Sequence, residues 1–215
     1  MRIKIDWTNH LIELLVVFIG ITAAFMLNNW REEHKDRQLE EKYLSSFRSD
    51  LVADSELLQT ILPANKDKLI RISEFVKGVM AKDGWPVDSA VVMLGLMMSS
   101  HSFDQKRTTY ESIINSGNLG ILSDHDLRKD LVEYYEGFEE VRVKERIYFD
   151  WQNTYIIPFI YENMDITGQK IISKQAVKDH RFKNLVIGYF ALLKQNMEVY
   201  KTVRDSNDSL LAHLK

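Results

Sequence analysis

The longest apolar stretch of the chain lies near its N-terminus and has no polar face. It carries no charge over Leu14–Leu27 and extends backwards past a single acidic residue, Glu13. The stretch alone is somewhat short for a hydrocarbon core of about 30 Å, but its extension to the flanking Trp7 and Trp30 makes it long enough. Tryptophans of this kind commonly lie at membrane interfaces. The pattern predicts one membrane-spanning helix over residues 11–30.

Two alternatives also produce such a stretch. A buried core helix can be apolar, but no other segment of this chain is apolar on every helix face. A cleaved signal peptide needs small residues at its cleavage site, whereas this stretch ends in the bulky sequence Met26-Leu27-Asn28-Asn29-Trp30. We therefore expect an uncleaved signal-anchor, preceded by a short flank of residues 1–10.

One face of the predicted anchor collects small residues and the acidic one. Glu13, Gly20 and Leu27 are seven residues apart, so they share a side of the helix. Gly20 and Ala24 form a small-xxx-small pair, which lets membrane helices approach closely. This face is a candidate oligomer interface with Glu13 turned inward. Alternatively, Glu13 lies near the interface and reaches the lipid head groups.

The helix is predicted to continue beyond the membrane. Residues 31–41 are densely charged and contain no glycine or proline. The apolar positions that follow form a heptad stripe, typical of coiled coils. Its members are Leu44, Phe47, Leu51, Leu58 and Ile61. We expect a juxtamembrane helical stalk over residues 31–62 that ends near Pro63, because proline breaks helices.

The remainder of the chain, residues 63–215, shows further helical patterns separated by turn residues. Helices are predicted over 65–81, from Asp88 or Ser89 to Met98, from Thr108 or Thr109 to a stop at Gly117, from Ser123–Asp126 to a stop before Pro158, and over about 182–214. Lys82–Pro86 and Gly168 are predicted breaks. The fold class is all-α: an antiparallel helical bundle that packs with the stalk.

Composition narrows the function classes. The net charge is −3, which gives no positive patch for nucleic acid. The absence of cysteine excludes disulfides, thiolate metal sites and cysteine nucleophiles. With only 9 glycines and 3 prolines, long helices are favoured over a many-turned β fold.

Lysines and arginines near the anchor bear on its orientation. The N-terminal flank has Arg2 and Lys4, and the C-terminal side has Arg31, Lys35, Arg37 and Lys42. By the positive-inside rule, this count favours a cytoplasmic C-terminal side. Long domains translocate largely regardless of charge, so the count alone does not fix the orientation.

Two blocks of sequence carry a resemblance to a known family. The first is residues 13–30, which end in Asn-Asn-Trp, and the second is residues 109–122, with Tyr-Glu-Ser and Ser-Gly, followed by Leu127-Arg128 and Tyr134-Tyr135. Together they resemble a bacterial family of uncharacterised single-pass membrane proteins, known only as a domain of unknown function. The resemblance implies an N-terminal anchor and a helical domain, and it implies no activity. It also implies a cytoplasmic N-terminus in the inner membrane, with the C-terminal domain on the periplasmic side.

The candidate functional turn consists of Tyr110, Glu111, Ser116 and Gly117, because polar residues are densest there. The alternative is purely structural, with one helix ending at this turn and the next beginning after it. No phosphate loop or hydrolase motif is present in the sequence. The Asp124–Asp126 triplet is unsuited to metal binding, because adjacent side chains at a helix start diverge. We predict no catalytic, cofactor-binding or metal-binding residues.

Two functions remain open at this stage. The first is a non-enzymatic, membrane-anchored helical module that assembles with itself or with other envelope proteins, with the lipid bilayer as a further partner. The second is a sensory or ligand-binding domain with a pocket near Tyr110–Leu122. A membrane-bound enzyme is a third, lesser possibility.

Overall fold

A computed structural model describes residues 7–81 and 86–214, and its longest element is a single helix, α1 (Trp7–Ala81), of 75 residues. At 1.5 Å per residue it is about 110 Å long. Residues 11–38 are exposed on all sides, and burial against other elements begins at Leu39. The prediction that the N-terminal apolar helix continues into a longer helix is confirmed. The flank before Trp7, the side chain of Trp7 and residues 82–85 of the predicted break lie outside the described residues.

The prediction that the first helix ends near Pro63 is wrong, and so is the separate helix predicted over 65–81. Pro63 lies inside α1. Its ring removes one backbone hydrogen bond, a cost of about 3 kcal/mol. Side chains on both sides of it are buried in the bundle, with Ile61 at 2% exposure and Asn65 at 2%. Packing of these flanking turns therefore outweighs the helix-breaking tendency of proline.

Shorter helices follow α1 and confirm the all-α class. They are α2 (Val87–Met98), α3 (Thr108–Asn115), α4 (His125–Trp151), α5 (Ile157–Asn163) and α6 (His180–His213). Short 3₁₀ turns span Asn118–Ile121 and Ala176–Lys178, and a π-helix spans Gln152–Ile156. At the predicted Gly168 turn, the two-residue strands β1 (Met164–Asp165) and β2 (Lys170–Ile171) pair antiparallel.

Two predicted helix boundaries are confirmed and one is shifted. Asp124 caps α4, where its side chain accepts hydrogen bonds from two backbone N–H groups. Gly117 follows α3 with φ +70°, the left-handed conformation that favours glycine. Helix α2 begins directly after Pro86, so Asp88 lies in its first turn and neither Asp88 nor Ser89 is the cap.

The predicted stop before Pro158 is also wrong in part. Helix α4 ends at Trp151, but the chain remains helical through the π-helix and into α5. Pro158 lies in the first turn of α5. Its missing N–H falls directly after the π-helix, where the regular α-helical hydrogen-bond pattern is already interrupted.

The bundle is built from the second half of α1 together with α4 and α6. Buried clusters at its two ends show the direction of each helix. The cluster nearer the anchor contains Phe47, Leu127 and Leu210, and the far cluster contains Ile72, Tyr148 and Phe182. Helices α1 and α4 therefore run parallel, and α6 runs antiparallel to both.

The heptad stripe of α1 lies inside this bundle. Phe47, Leu51 and Leu58 are each 0% exposed, in clusters formed with other elements of the same chain. These side chains are consequently not available as a coiled-coil surface between copies. Any self-assembly must use another part of the molecule.

Candidate functional site

The predicted anchor face lies on the part of α1 that projects from the bundle. The most apolar window of this helix has a mean hydropathy of 2.2 and is 0% buried, so by length and composition it is able to cross a membrane. Glu13, Gly20, Ala24 and Leu27 all fall within it. A Cβ added at Gly20 meets no atom within 4 Å, and Leu27 is 65% exposed. The structure thus places the four residues on an unpacked helix, with Gly20 open to a neighbour.

The predicted functional turn is divided between core and surface. Tyr110 is buried, and its ring stacks on Tyr135 with 4.5 Å between ring centroids. Its hydroxyl donates to the Glu136 carboxylate at 2.9 Å. Glu111, by contrast, is exposed and lies 3.6 Å from the guanidinium of Arg107. Tyr110 is therefore a packing residue, and Glu111 belongs to a surface ion pair.

Ser116 and Gly117 connect this turn to the stalk. The Ser116 hydroxyl lies 3.4 Å from the Tyr43 hydroxyl, and the Asn118 amide donates to Tyr43 at 3.3 Å. Hydrogen bonds from Asn118 and then Ser116 hold the pKa of Tyr43 below its ordinary value. The sequence did not identify Tyr43 as a polar partner, because its spacing marks it only as an apolar position of the predicted stalk.

A surface recess of about 250 Å³ lies beside the turn, between α1 and α3. Five of the seven residues that line it carry a hydroxyl group, and one is a lysine. The lining residues are Leu39, Lys42, Tyr43, Ser46, Thr108, Thr109 and Ser112. Its volume is below the range of about 300–1,000 Å³ usual for ligand pockets. Beneath it, the core is filled by Tyr110 and Ile113.

An extended segment, residues 99–107, crosses the bundle between α2 and α3, and we call it the strap. It has no β partner for its backbone N–H groups, which need acceptors when buried. Helix carboxylates supply them: Phe103 N–H donates to Glu145 at 2.8 Å and Lys106 N–H donates to Asp54 at 2.8 Å. At the other end, the buried ammonium of Lys68 donates to the backbone carbonyl of Ser99. Side chains thus substitute for a neighbouring strand.

Asp54 is the centre of this polar network and is 0% exposed. Its second oxygen accepts a hydrogen bond from the Tyr134 hydroxyl at 2.8 Å, and the Asn207 amide donates to the same hydroxyl at 3.1 Å. Burial raises the pKa of Asp54 to about 6, and the bonds from Lys106 and Tyr134 oppose that rise only partly. Through these bonds, Asp54 on α1 connects to the strap at Lys106 and to α4 at Tyr134. The Tyr134 hydroxyl in turn connects to Asn207 on α6.

The sequence contained a signal for Asp54 that was overlooked. The heptad stripe contains Leu51 and Leu58, and the core position between them is residue 54. An acidic residue at a core position of a heptad needs a buried partner. Tyr134 lies 80 residues after Asp54, and Asn207 lies a further 73 residues along the chain. Only the fold therefore reveals these partners.

Comparisons with known proteins give one match. Residues 13–196 match the protein-family model described as "Family of unknown function (DUF6090)". No curated protein and no solved structure matches the chain. Within residues 7–81 and 86–214, no group of three or more histidine, aspartate or glutamate side chains is arranged to hold a metal ion.

Proposed function

The chain belongs to this family of unknown function, DUF6090, and we propose that it is a membrane-anchored helical module that assembles with itself in the bacterial cell envelope. The observation that carries the proposal is the exposure of the apolar half of α1. The family match begins at Glu13 and so includes this half. A helix that lies inside the matched region is better explained as a working part of the domain than as a disposable targeting segment.

The exposed apolar surface requires a partner. Large apolar side chains from Leu11 to Trp30 are between 56 and 68% exposed. Water-exposed apolar area costs about 25 cal/mol per Å², and soluble monomers rarely carry a patch above a few hundred Å². A lipid bilayer removes this cost along the whole length of the helix. The bilayer is therefore the first partner, and we place the anchor in the inner membrane with the bundle on the periplasmic side.

Self-association is assigned to the face of Glu13, Gly20, Ala24 and Leu27. Small residues let two backbones approach closely, and van der Waals contact drives helix association in lipid. The heptad stripe is buried inside the bundle, whereas this face lies on the exposed part of α1 and carries the small residues, Gly20 and Ala24, that close helix packing needs. Association there would hold two bundles side by side, as a scaffold for each other or for other envelope proteins. We infer no catalytic role.

The test compares two substitutions that add the same side chain to opposite faces of the anchor. Gly20→Leu blocks the close approach, whereas Thr22→Leu adds bulk about 180° away. In wild-type protein in a mild non-ionic detergent, light scattering should give an oligomer. Gly20→Leu should shift it to monomer, and Thr22→Leu should leave it unchanged.

Two results would count against assembly through the anchor. One is a monomeric wild-type protein in several mild detergents. The other is an equal loss of oligomer in both variants, which would indicate a general effect of bulk in the membrane.

A ligand-binding module is the second candidate, favoured by the hydroxyl-lined recess beside Tyr43. Its hydroxyl groups offer hydrogen bonds to a small molecule, although its volume is low for a ligand pocket. Thr109→Val removes one hydroxyl from the wall with little change in volume. If the recess holds a ligand in cells, protein purified from cells should carry a small molecule that native mass spectrometry detects and that Thr109→Val reduces.

A further inference from the structure

A larger recess opens at the far end of the bundle, away from the anchor. It has a volume of about 420 Å³ and lies between the π-helix, α5 and the first turns of α6. This volume is within the range of about 300–1,000 Å³ typical of small-molecule pockets. Three aromatic residues, Trp151, Tyr155 and Phe159, line it together with Leu185. It therefore has both the size and the lining of a ligand site.

Local backbone features shape this recess. The π-helix Gln152–Ile156 widens the chain at the recess, and π-helical turns are rare and frequently found at functional sites. The rings of Trp151 and Tyr155 lie 4.5 Å apart between centroids. On the opposite helix, a Cβ added at Gly188 would lie 2.3 Å from Cζ2 of Trp151. The position of the indole thus depends on the absence of a side chain at Gly188.

Charged side chains of opposite sign complete the walls. Glu162 and Arg181 both line the recess. Among the residues that the structure describes, neither side chain takes part in an ion pair or a side-chain hydrogen bond. Asn184 adds a neutral amide to the same walls. An available cation and an available anion beside an aromatic surface match a molecule that itself carries both charges and a flat apolar group.

We propose that this distal recess binds a small zwitterion with a planar apolar group, of the chemical class of an aromatic amino acid. The Arg181 guanidinium binds the carboxylate, for which its planar, two-pronged donor geometry is suited. The Glu162 carboxylate binds the ammonium group. The planar group packs against the rings of Tyr155 and Trp151, as aromatic pairs do in proteins. This site is separate from the anchor and does not depend on self-assembly.

The test uses three probes that differ in one charged group at a time: L-phenylalanine, phenethylamine, which lacks the carboxylate, and 3-phenylpropionate, which lacks the ammonium. Isothermal titration calorimetry on the full chain in mild detergent should give the highest affinity for L-phenylalanine. Each lost ion pair should weaken binding by about tenfold, which corresponds to about 1.4 kcal/mol.

Charge-specific variants then assign each contact. Arg181→Gln should lower the affinity for L-phenylalanine to that for phenethylamine and leave phenethylamine binding unchanged. Glu162→Gln should lower the affinity for L-phenylalanine to that for 3-phenylpropionate and leave 3-phenylpropionate binding unchanged. Arg142→Gln, which changes an exposed arginine on α4, is the matched control and should have no effect.

Three outcomes would overturn the proposal. They are no binding of L-phenylalanine at millimolar concentration, equal affinities for the three probes, and an unchanged L-phenylalanine affinity in both charge variants. Because Arg181 and Glu162 are exposed on the surface, loss of the fold is not expected in either variant.

Discussion

The two halves of α1 are one continuous helix in opposite environments. Residues 11–38 contact no core of the described bundle, and their apolar portion is apolar on every face. The half from Leu39 onward has a stripe of buried residues, with Phe47 at 0% exposure, and a charged or polar remainder. Helix formation alone therefore does not distinguish the halves. The difference lies in what covers each one: other helices cover the second half, and in the function proposed above lipid covers the first. Each half should therefore respond differently to the same substitution.

The largest expected difference comes from truncating a phenylalanine in each half. Phe47 is fully buried beside Tyr135, and its replacement by alanine should lower the free energy of unfolding by about 4 kcal/mol through lost burial and a cavity. Phe18 is 68% exposed, and Phe18→Ala should change it by less than about 0.5 kcal/mol. Chemical denaturation in mild detergent, followed by circular dichroism, measures both. Equal effects would contradict the division of α1 into a packed and an unpacked half.

The next effect concerns the polar centre of the packed half. Asp54→Ala leaves the Lys106 N–H and the Tyr134 hydroxyl without their acceptor, and we expect a loss of about 2 kcal/mol. Asp54→Asn keeps an acceptor for the Lys106 N–H and places an amide N–H that donates to the Tyr134 oxygen, so only the acceptor of the Tyr134 O–H is lost. It should therefore remain within about 1 kcal/mol of wild type at neutral pH. If the asparagine variant is as unstable as the alanine variant, the negative charge itself holds the strap.

A smaller effect is the pH dependence that Asp54 confers. Its folded pKa of about 6 is above the ordinary value for aspartate of about 4, so the folded state binds the proton more tightly than the unfolded state does. This group therefore adds stability as the pH falls through 6 and removes it as the pH rises again. Between pH 7 and pH 5 the gain should be about 1 kcal/mol.

Other groups titrate in the same interval, so the measurement needs Asp54→Asn as a reference. Asp50 and Lys106 are the charged groups that act on Asp54, and both are present in the variant. The difference in unfolding free energy between wild type and variant should change by about 1 kcal/mol across this range. A constant difference would place the folded pKa of Asp54 near its ordinary value.

The sequence predicted the elements of this fold more completely than their interactions. Hydrophobic periodicity located the anchor and the last helix because each signal is local. Pro63 misled the prediction, since local propensity cannot report that the turns around it are buried. The Asp54 network needs Tyr134 and Asn207, which only the tertiary fold brings together. The recess at Trp151 depends on Gly188 and the π-helix, and neither has a distinctive local pattern.

The smallest expected effect tests the boundary between the two halves directly. One alanine inserted after Lys35 lies in the exposed part of α1, before burial begins at Leu39. It rotates the anchor by about 100° relative to the bundle and lengthens the helix by about 1.5 Å. The bundle makes no contact with the inserted turn, so the free energy of unfolding should change by less than about 0.5 kcal/mol.

The same insertion tests whether self-association depends on the anchor alone or also on the rotational setting of the bundle. The anchor face of Glu13, Gly20 and Ala24 rotates as a unit, so association driven by this face alone should keep its oligomeric state in light scattering. A loss of oligomer with an unchanged unfolding free energy would show that the bundles also contact each other in one fixed rotational setting. A loss of stability greater than about 1 kcal/mol would instead show that the exposed segment supports the fold. In that case the two halves of α1 would not be separable.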